Sequence, residues 1–217
     1  KSRAILNRCC ERSVDPLKFF RMAPNSLQGR SVTISRTGYT GDLGYEIWMD
    51  AGDALPVWDA LMAAGGDYGL APCGILAMDM ARVEAGLFMI DVDYTAANHA
   101  WIAGQKSSPY EMGLGGTGSP EKPGYSGGRR ALERARREGA PWRSAGIEVD
   151  WEGLERLYAA VGLPPQIPSM AVRGSLPVFH DGRQIGYAST STWSPVLKKY
   201  IALAHLERPH FEPGTLV

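Results

Sequence analysis

Hydrophobic and polar positions change their period several times along the chain, and each change marks an element. Ala4, Ile5, Leu6 and Cys9 share one side of a short stretch, so the spacing predicts a helix over 1–10. From Ser31 to Arg36, Val32 and Ile34 alternate with Thr33 and Ser35, which is a strand pattern. A second strand is predicted over Tyr45 to Met49, with Tyr45, Ile47 and Met49 on one face and Glu46 and Trp48 on the other. Gly38, Gly41 and Gly44 make the stretch between these strands a tight connector. Asp53 is placed to cap a helix running to about Ala64, with Ala54, Val57, Trp58 and Leu61 on one side. The stretch Gly74 to Ala85 is apolar almost all round, with Arg82 and Glu84 as its polar exceptions, and predicts a buried helix. Ser107 to Gly128, rich in Gly, Pro and Ser, predicts a surface loop, and Arg129 to Glu138 a charged helix ending at Gly139.

Beyond Pro141 the pattern shortens. Strands are predicted at Ser144–Val149, Leu176–His180, Gln184–Ser189 and Tyr200–Leu206. Asp181-Gly182 is a hairpin signal, and one amphipathic helix, Trp151 to Val161, ends before Pro164-Pro165. Short strands so close together suggest a small sandwich or barrel. The expected boundary lies at 139–143, giving a domain over 1–140 and another over 141–217.

Composition narrows the function classes. Among the 217 residues, 23 Lys and Arg balance 23 Asp and Glu. The chain therefore offers no global basic field for nucleic acid. A hydrophobic fraction of 44% with 21% charged residues is ordinary for a globular protein. No apolar run approaches the roughly 20 residues needed to span a bilayer. No signal peptide is legible, and the start at Lys1 without a Met reads as part of something longer. Cys9, Cys10 and Cys73 form neither a disulfide framework nor a zinc pattern, so reduced thiols and a cytoplasmic location are expected. His99, His180, His205 and His210 stand singly and read as surface or packing residues.

Glu46 is the strongest candidate for chemistry. It follows the glycine-rich turn and shares a strand face with Trp48. A carboxylate beside an aromatic suits a flat, nitrogen-rich heterocycle: the 2-amino group and adjacent ring N–H of a pterin are two parallel donors that a carboxylate accepts together. A solvated Glu on the outer face of an edge strand fits the same spacing. Tyr39 either lines the same pocket or anchors the turn. Arg82 and Glu84 could reach a ligand or anchor the helix, but an i,i+2 spacing does not bring them face to face. Asp91-Val92-Asp93 reads as a turn, since the rest of a calcium loop is missing. No catalytic residue is legible.

The run Arg36-Thr-Gly-Tyr-Thr-Gly-Asp-Leu-Gly-Tyr-Glu46 resembles the signature of the aminomethyltransferase family, the T-protein of glycine cleavage and its relatives. So do Gly69-Leu-Ala-Pro-Cys-Gly74 with Asp79, Arg82 and Glu84, then Ser107 to Gly115, then Gly127 to Leu132. Gly186, Ser191 to Leu197 and Ile201 to Ala204 resemble the family's C-terminal barrel. The resemblance implies an α+β fold, the C-terminal part of the folate-binding T-protein fold followed by a small β-barrel. It implies tetrahydrofolate as cofactor, a small-molecule methyl or aminomethyl donor, and Glu46 on the pterin with Tyr39 beside it.

Two departures qualify this. The family's catalytic Asp belongs to an N-terminal segment expected to be missing here, so the fragment alone is expected to be inactive and to self-associate or pair with such a segment. Glycine-cleavage members also carry an Arg–Asp pair on the buried helix, where this chain reads Met78-Asp79. With the stretch Asp93 to Gln105, that change resembles the folate-dependent demethylase branch. The alternative is a non-catalytic folate-binding protein, like the branch that assists iron–sulfur assembly, or a scaffold partner. That branch's Cys motif is not seen in this sequence.

Overall fold

The computed structural model describes residues 1–117, 121–124 and 127–217. The chain divides into two compact units, Lys1–Ala85 and Gly86–Val217. The boundary expected at 139–143 falls inside the second unit. Parts of the predicted loop over 107–128 lie outside the described residues.

The first unit runs α1 (Ser2–Cys9), β1 (Met22–Leu27), β2 (Arg30–Ser35), β3 (Glu46–Trp48), α2 (Ala54–Gly65) and α3 (Ile75–Glu84). Its strands form an antiparallel sheet in the order β1-β2-β3. Val32 and Ile34 turn to one face with Leu6, Cys9, Leu27 and Val57, and these residues form the core. Each fully buried aliphatic side chain contributes about 1.5–3 kcal/mol of transfer free energy. β1 was not predicted, because MAPNSL does not alternate and carries Pro24. A proline is tolerated there because β1 is an edge strand. Asp53 sits at the N-cap position of α2 but makes no cap hydrogen bond. Its carboxylate instead takes Arg30 Nη1 at 2.6 Å.

The expectation of a fully buried α3 needs correcting. Its second half is buried, through Asp79, Arg82 and Val83, whereas Ile75 is 65% and Leu76 50% exposed. Every residue from Gly69 to Ala77 is exposed. Burial therefore grades along the helix axis rather than around it. An all-apolar pattern says what a helix can bury, not what covers it.

The second unit carries α4 (Arg129–Glu138), β4 (Trp142–Glu148), α5 (Trp151–Ala159), β5 (Leu176–His180), β6 (Arg183–Ser194) and β7 (Lys199–Glu207). The strands form an antiparallel sheet in the order β4-β7-β6-β5, and Val172 adds a bridge to Ser191. Asp181 and Gly182 both take positive φ, as a tight β5–β6 hairpin requires. Ile185, Ala188, Ala202, Ala204 and Leu206 form the core, with Ile147 and Val178 packed against it. β6 is twice the predicted length. The expectation stopped at Ser189 because Ser189-Thr190-Ser191-Thr192 has no apolar alternation, yet all four side chains are buried.

Candidate functional site

Glu46 opens β3 directly opposite Ser35, and Trp48 lies opposite Thr33. Met22 pairs with Ser35 from the other side, so Met22, Ser35 and Glu46 form one row on the sheet face away from the core. Ile47 points the other way, into the core. The period of two thus leaves Glu46 exposed and Trp48 60% exposed on the open face. Ser35 by contrast is buried. Its Oγ lies 2.6 Å from Thr37 Oγ1 and donates to Glu46 Oε2 at 3.4 Å.

The connector between β2 and β3 is pinned at several points. Arg36 Nη1 donates to the carbonyl of Leu17 at 3.2 Å. Ser2 Oγ donates to the carbonyl of Leu43 at 2.7 Å, and Arg3 Nε to Tyr45 Oη at 3.4 Å. Gly41 has φ +81°, and a Cβ there would lie 2.6 Å from Ala85 Cβ, at the end of α3. Only glycine lets the turn approach that closely. Tyr39 is half-buried within this connector.

On α3, Arg82 is fully buried. Its Nε donates to Asp79 Oδ1 at 2.8 Å, an i,i+3 ion pair on fully buried side chains. The i,i+3 spacing of Asp79 and Arg82 is the sequence signal for this pair. Met78, beside this pair, is half-buried.

In the second unit, Asp93 is the residue that pattern reading missed. It lies on the turn that was expected, yet its carboxylate is buried. Oδ1 accepts the hydroxyls of Ser189 (2.6 Å) and Thr190 (2.7 Å), and Oδ2 accepts the Met89 N–H (2.7 Å). Two consecutive strand residues normally face opposite ways. Here the β6–β7 register shifts between Ala188 and Thr190, so Ser189 is the extra residue of a bulge and both hydroxyls converge on one oxygen.

The Asp93 carbonyl accepts His205 Nε2–H at 2.6 Å, and Ser144 Oγ lies 3.3 Å from Nδ1. Tyr187 stacks on the His205 ring, with centroids 5.0 Å apart. Burial pushes the His205 pKa down, partly opposed by the bond to Asp93 and the charges of Asp93 and Glu111. The neighbouring Asp91 is exposed, and its carboxyl is held low by the Ala96 N–H and by His99, whose Nδ1 lies at 2.7 Å. All three cysteines are free thiols.

The profile of the GCVT N-terminal domain matches residues 1–116, and that of the glycine cleavage T-protein C-terminal barrel domain matches 159–217. The chain belongs to the glycine cleavage T-protein family. It is 32% identical over 213 residues to an aminomethyltransferase of Halothermothrix orenii, covering 98% of this chain and 52% of that protein. The aminomethyltransferase of Bacillus subtilis is 32% identical over 218 residues, covering all of this chain and 53% of that protein. The crystal structure of the glycine cleavage system aminomethyltransferase T from Bartonella henselae superposes with a TM-score of 0.72 at 21% identity. That superposition covers 98% of this chain and 51% of the Bartonella protein, and it shows the shared fold. The chain spans about half the length of the curated relatives it matches. Tetrahydrofolate is the cofactor of this family, and no helix among the described residues is long and apolar enough to cross a membrane.

Proposed function

We propose that this chain is the pterin-recognising part of a tetrahydrofolate-dependent one-carbon transferase. What carries the reading is Glu46, an exposed carboxylate beside the exposed ring of Trp48 on the open face of the sheet. The residues fit the cofactor. An ionised carboxylate only accepts hydrogen bonds, and the pterin's 2-amino N–H and adjacent ring N–H are two parallel donors. Trp48 supplies a flat apolar surface next to them, and Tyr39 lines the connector that frames the site. Tetrahydrofolate, when bound, supplies the nitrogen that receives the one-carbon unit.

This chain's own part is to bind and orient. Glu46 fixes the rotation of the pterin in its plane, and the pinned connector keeps the carboxylate in place. Holding two reactants in register is a large source of rate when the protein does little covalent chemistry. The proton-handling Asp of the family is assigned to the half of the family's length that this chain does not span. Turnover accordingly needs that half, and the chain by itself binds without turning over. The one-carbon donor is a small methyl- or aminomethyl-bearing molecule. Met78 in place of an Arg favours the demethylase branch, because a thioether cannot make a charge-assisted contact to the folate tail. Three free thiols fit the reducing conditions of the cytoplasm. The exposed Ile75 and Leu76 favour pairing with the remaining half of the family's length, or self-association, which light scattering reads directly.

Calorimetric titration of tetrahydrofolate into the chain and into Glu46→Gln tests the reading. The substitution turns one acceptor oxygen into a donor facing donors, so affinity falls about 10- to 100-fold, as expected for losing a bond to a charged group. Equal affinity for both proteins takes Glu46 out of the site. A chain that does not bind tetrahydrofolate refutes pterin recognition in this half.

A further inference from the structure

We propose that Ser35 and Thr37 form a hydroxyl relay that positions the Glu46 carboxylate for its ligand. The inference rests on the reading above. The geometry that carries it is independent of the ligand. Ser35 ends β2, stands directly opposite Glu46 in the antiparallel register, and faces the same side of the sheet. Its side chain is buried although its sheet partner is exposed, which puts a hydroxyl behind the carboxylate rather than beside it in solvent.

A serine hydroxyl carries one hydrogen. Ser35 Oγ donates that hydrogen to Glu46 Oε2 at 3.4 Å, so its short 2.6 Å contact with Thr37 must be filled by the Thr37 hydroxyl donating to Ser35. The order Thr37→Ser35→Glu46 polarises each bond in the same sense. One lone pair of Oε2 is then held from the protein side. Oε1 and the outward lone pair of Oε2 remain for two parallel donors, out of about four acceptor positions on a carboxylate.

The 3.4 Å separation is long for a hydroxyl on a carboxylate. Such bonds tighten when a ligand fixes the acceptor, as is common for functional groups described without their ligand. Ser35 and Thr37 are positioning residues. They touch Glu46 and each other, and a glutamate with three rotatable bonds gains most from an anchor that removes rotamers before binding.

The test is tetrahydrofolate affinity, by calorimetry, of Ser35→Ala, Ser35→Thr and Thr37→Val in wild-type and Glu46→Gln backgrounds, with melting temperature as the folding control. Ser35→Ala is expected to weaken binding about five- to tenfold, in the range for one ordinary hydrogen bond. Thr37→Val should weaken it by less, because Ser35 remains. Ser35→Thr keeps the hydroxyl and should recover most of the wild-type affinity. In the Glu46→Gln background, Ser35→Ala should cost nothing further, which a merely structural role would not produce. Should Ser35→Ala fail to fold, Thr37→Val carries the same comparison.

Equal affinity of Ser35→Ala and wild type, with Glu46→Gln impaired, overturns the relay and leaves the pterin site standing. Additive losses in the double variant also overturn the relay. Unimpaired Glu46→Gln, or no binding by wild type, overturns the functional reading itself.

Discussion

Removing the Asp93 carboxylate tests whether one buried acceptor ties the 89–96 turn to the sheet of the second unit. Three donors converge on it: the hydroxyls of Ser189 and Thr190 and the Met89 N–H, all at 2.6–2.7 Å. In Asp93→Ala all three lose their acceptor in a buried site. Each unsatisfied buried donor costs about 1–3 kcal/mol, although Ser189 can turn its hydrogen to the Leu203 carbonyl, already 3.2 Å away. Two stranded donors and the lost side-chain volume together give about 3–5 kcal/mol. That is a large part of the roughly 5–15 kcal/mol that holds a domain folded.

Asp93→Asn separates hydrogen bonding from volume. Flipped, its oxygen accepts the Met89 N–H and its amide donates to both hydroxyl oxygens, so the loss should be smaller, about 1.5–3 kcal/mol. The assay is urea unfolding by circular dichroism together with hydrogen exchange of peptides covering β6 and β7, because two units need not unfold in one transition. Stability should fall in the order Asp, Asn, Ala, with faster exchange confined to 86–217. An Ala variant within about 1 kcal/mol of wild type, against the cost of stranding buried donors, refutes the hub.

Three further outcomes follow from the same geometry. His205 is held neutral by burial, so its folded pKa lies below the unfolded value of about 6.5. The unfolded state then binds the proton first, and stability falls as the pH drops from about 6.5 toward the folded pKa, by at most about 1.4 kcal/mol per pH unit. His205→Gln, which keeps an N–H for the Asp93 carbonyl, should flatten that slope in urea midpoints, and an unchanged slope assigns the acid lability elsewhere. Gly41→Ala forces a Cβ to 2.6 Å from Ala85 Cβ at positive φ, and should cost about 2–4 kcal/mol in the first unit and weaken tetrahydrofolate binding. Thermal melting and calorimetry read the two effects. Gly186→Ala would put a Cβ 2.1 Å from the His205 carbonyl oxygen, so β6 and β7 must part; circular dichroism should show the second unit destabilised by about 3 kcal/mol or more.

What the sequence disclosed was what is periodic. The alternation of Val32 and Ile34 with Thr33 and Ser35, and of Ile47 with Glu46 and Trp48, marks the two faces of each strand. Asp181-Gly182 fixed the β5–β6 hairpin in the same way. Where period gives way to individual contacts, the reading stopped. MAPNSL became a strand because β2 offers it an edge, a property of β2 and not of Pro24. The hydroxyl run 189–192 became buried strand because Asp93, about a hundred residues earlier, accepts two of its hydrogens. No spacing rule joins 93 to 189. The Asp79–Arg82 pair, at helical spacing, was within reach of such a rule.

The same distinction bears on the candidate site. Glu46 was found because it stands out of an alternating strand beneath a glycine-rich turn. Ser35 alternates with Val32 and Ile34 but has no role in the pattern, since nothing in a strand pattern says which of its polar residues is buried. Cross-strand register supplies that. Ser35 lies under Glu46 because β2 and β3 pair Ser35↔Glu46, Ile34↔Ile47 and Thr33↔Trp48. A slip of one residue would set Glu46 against Arg36 or Ile34 and turn the carboxylate away from the hydroxyls. Core packing of Ile34 and Ile47 therefore does more than stabilise the sheet. It fixes the register, and with it which hydroxyl stands behind the carboxylate. Substitutions at Ile34 that preserve volume should leave ligand affinity intact, while those that loosen the register should lower it without touching any residue on the open face.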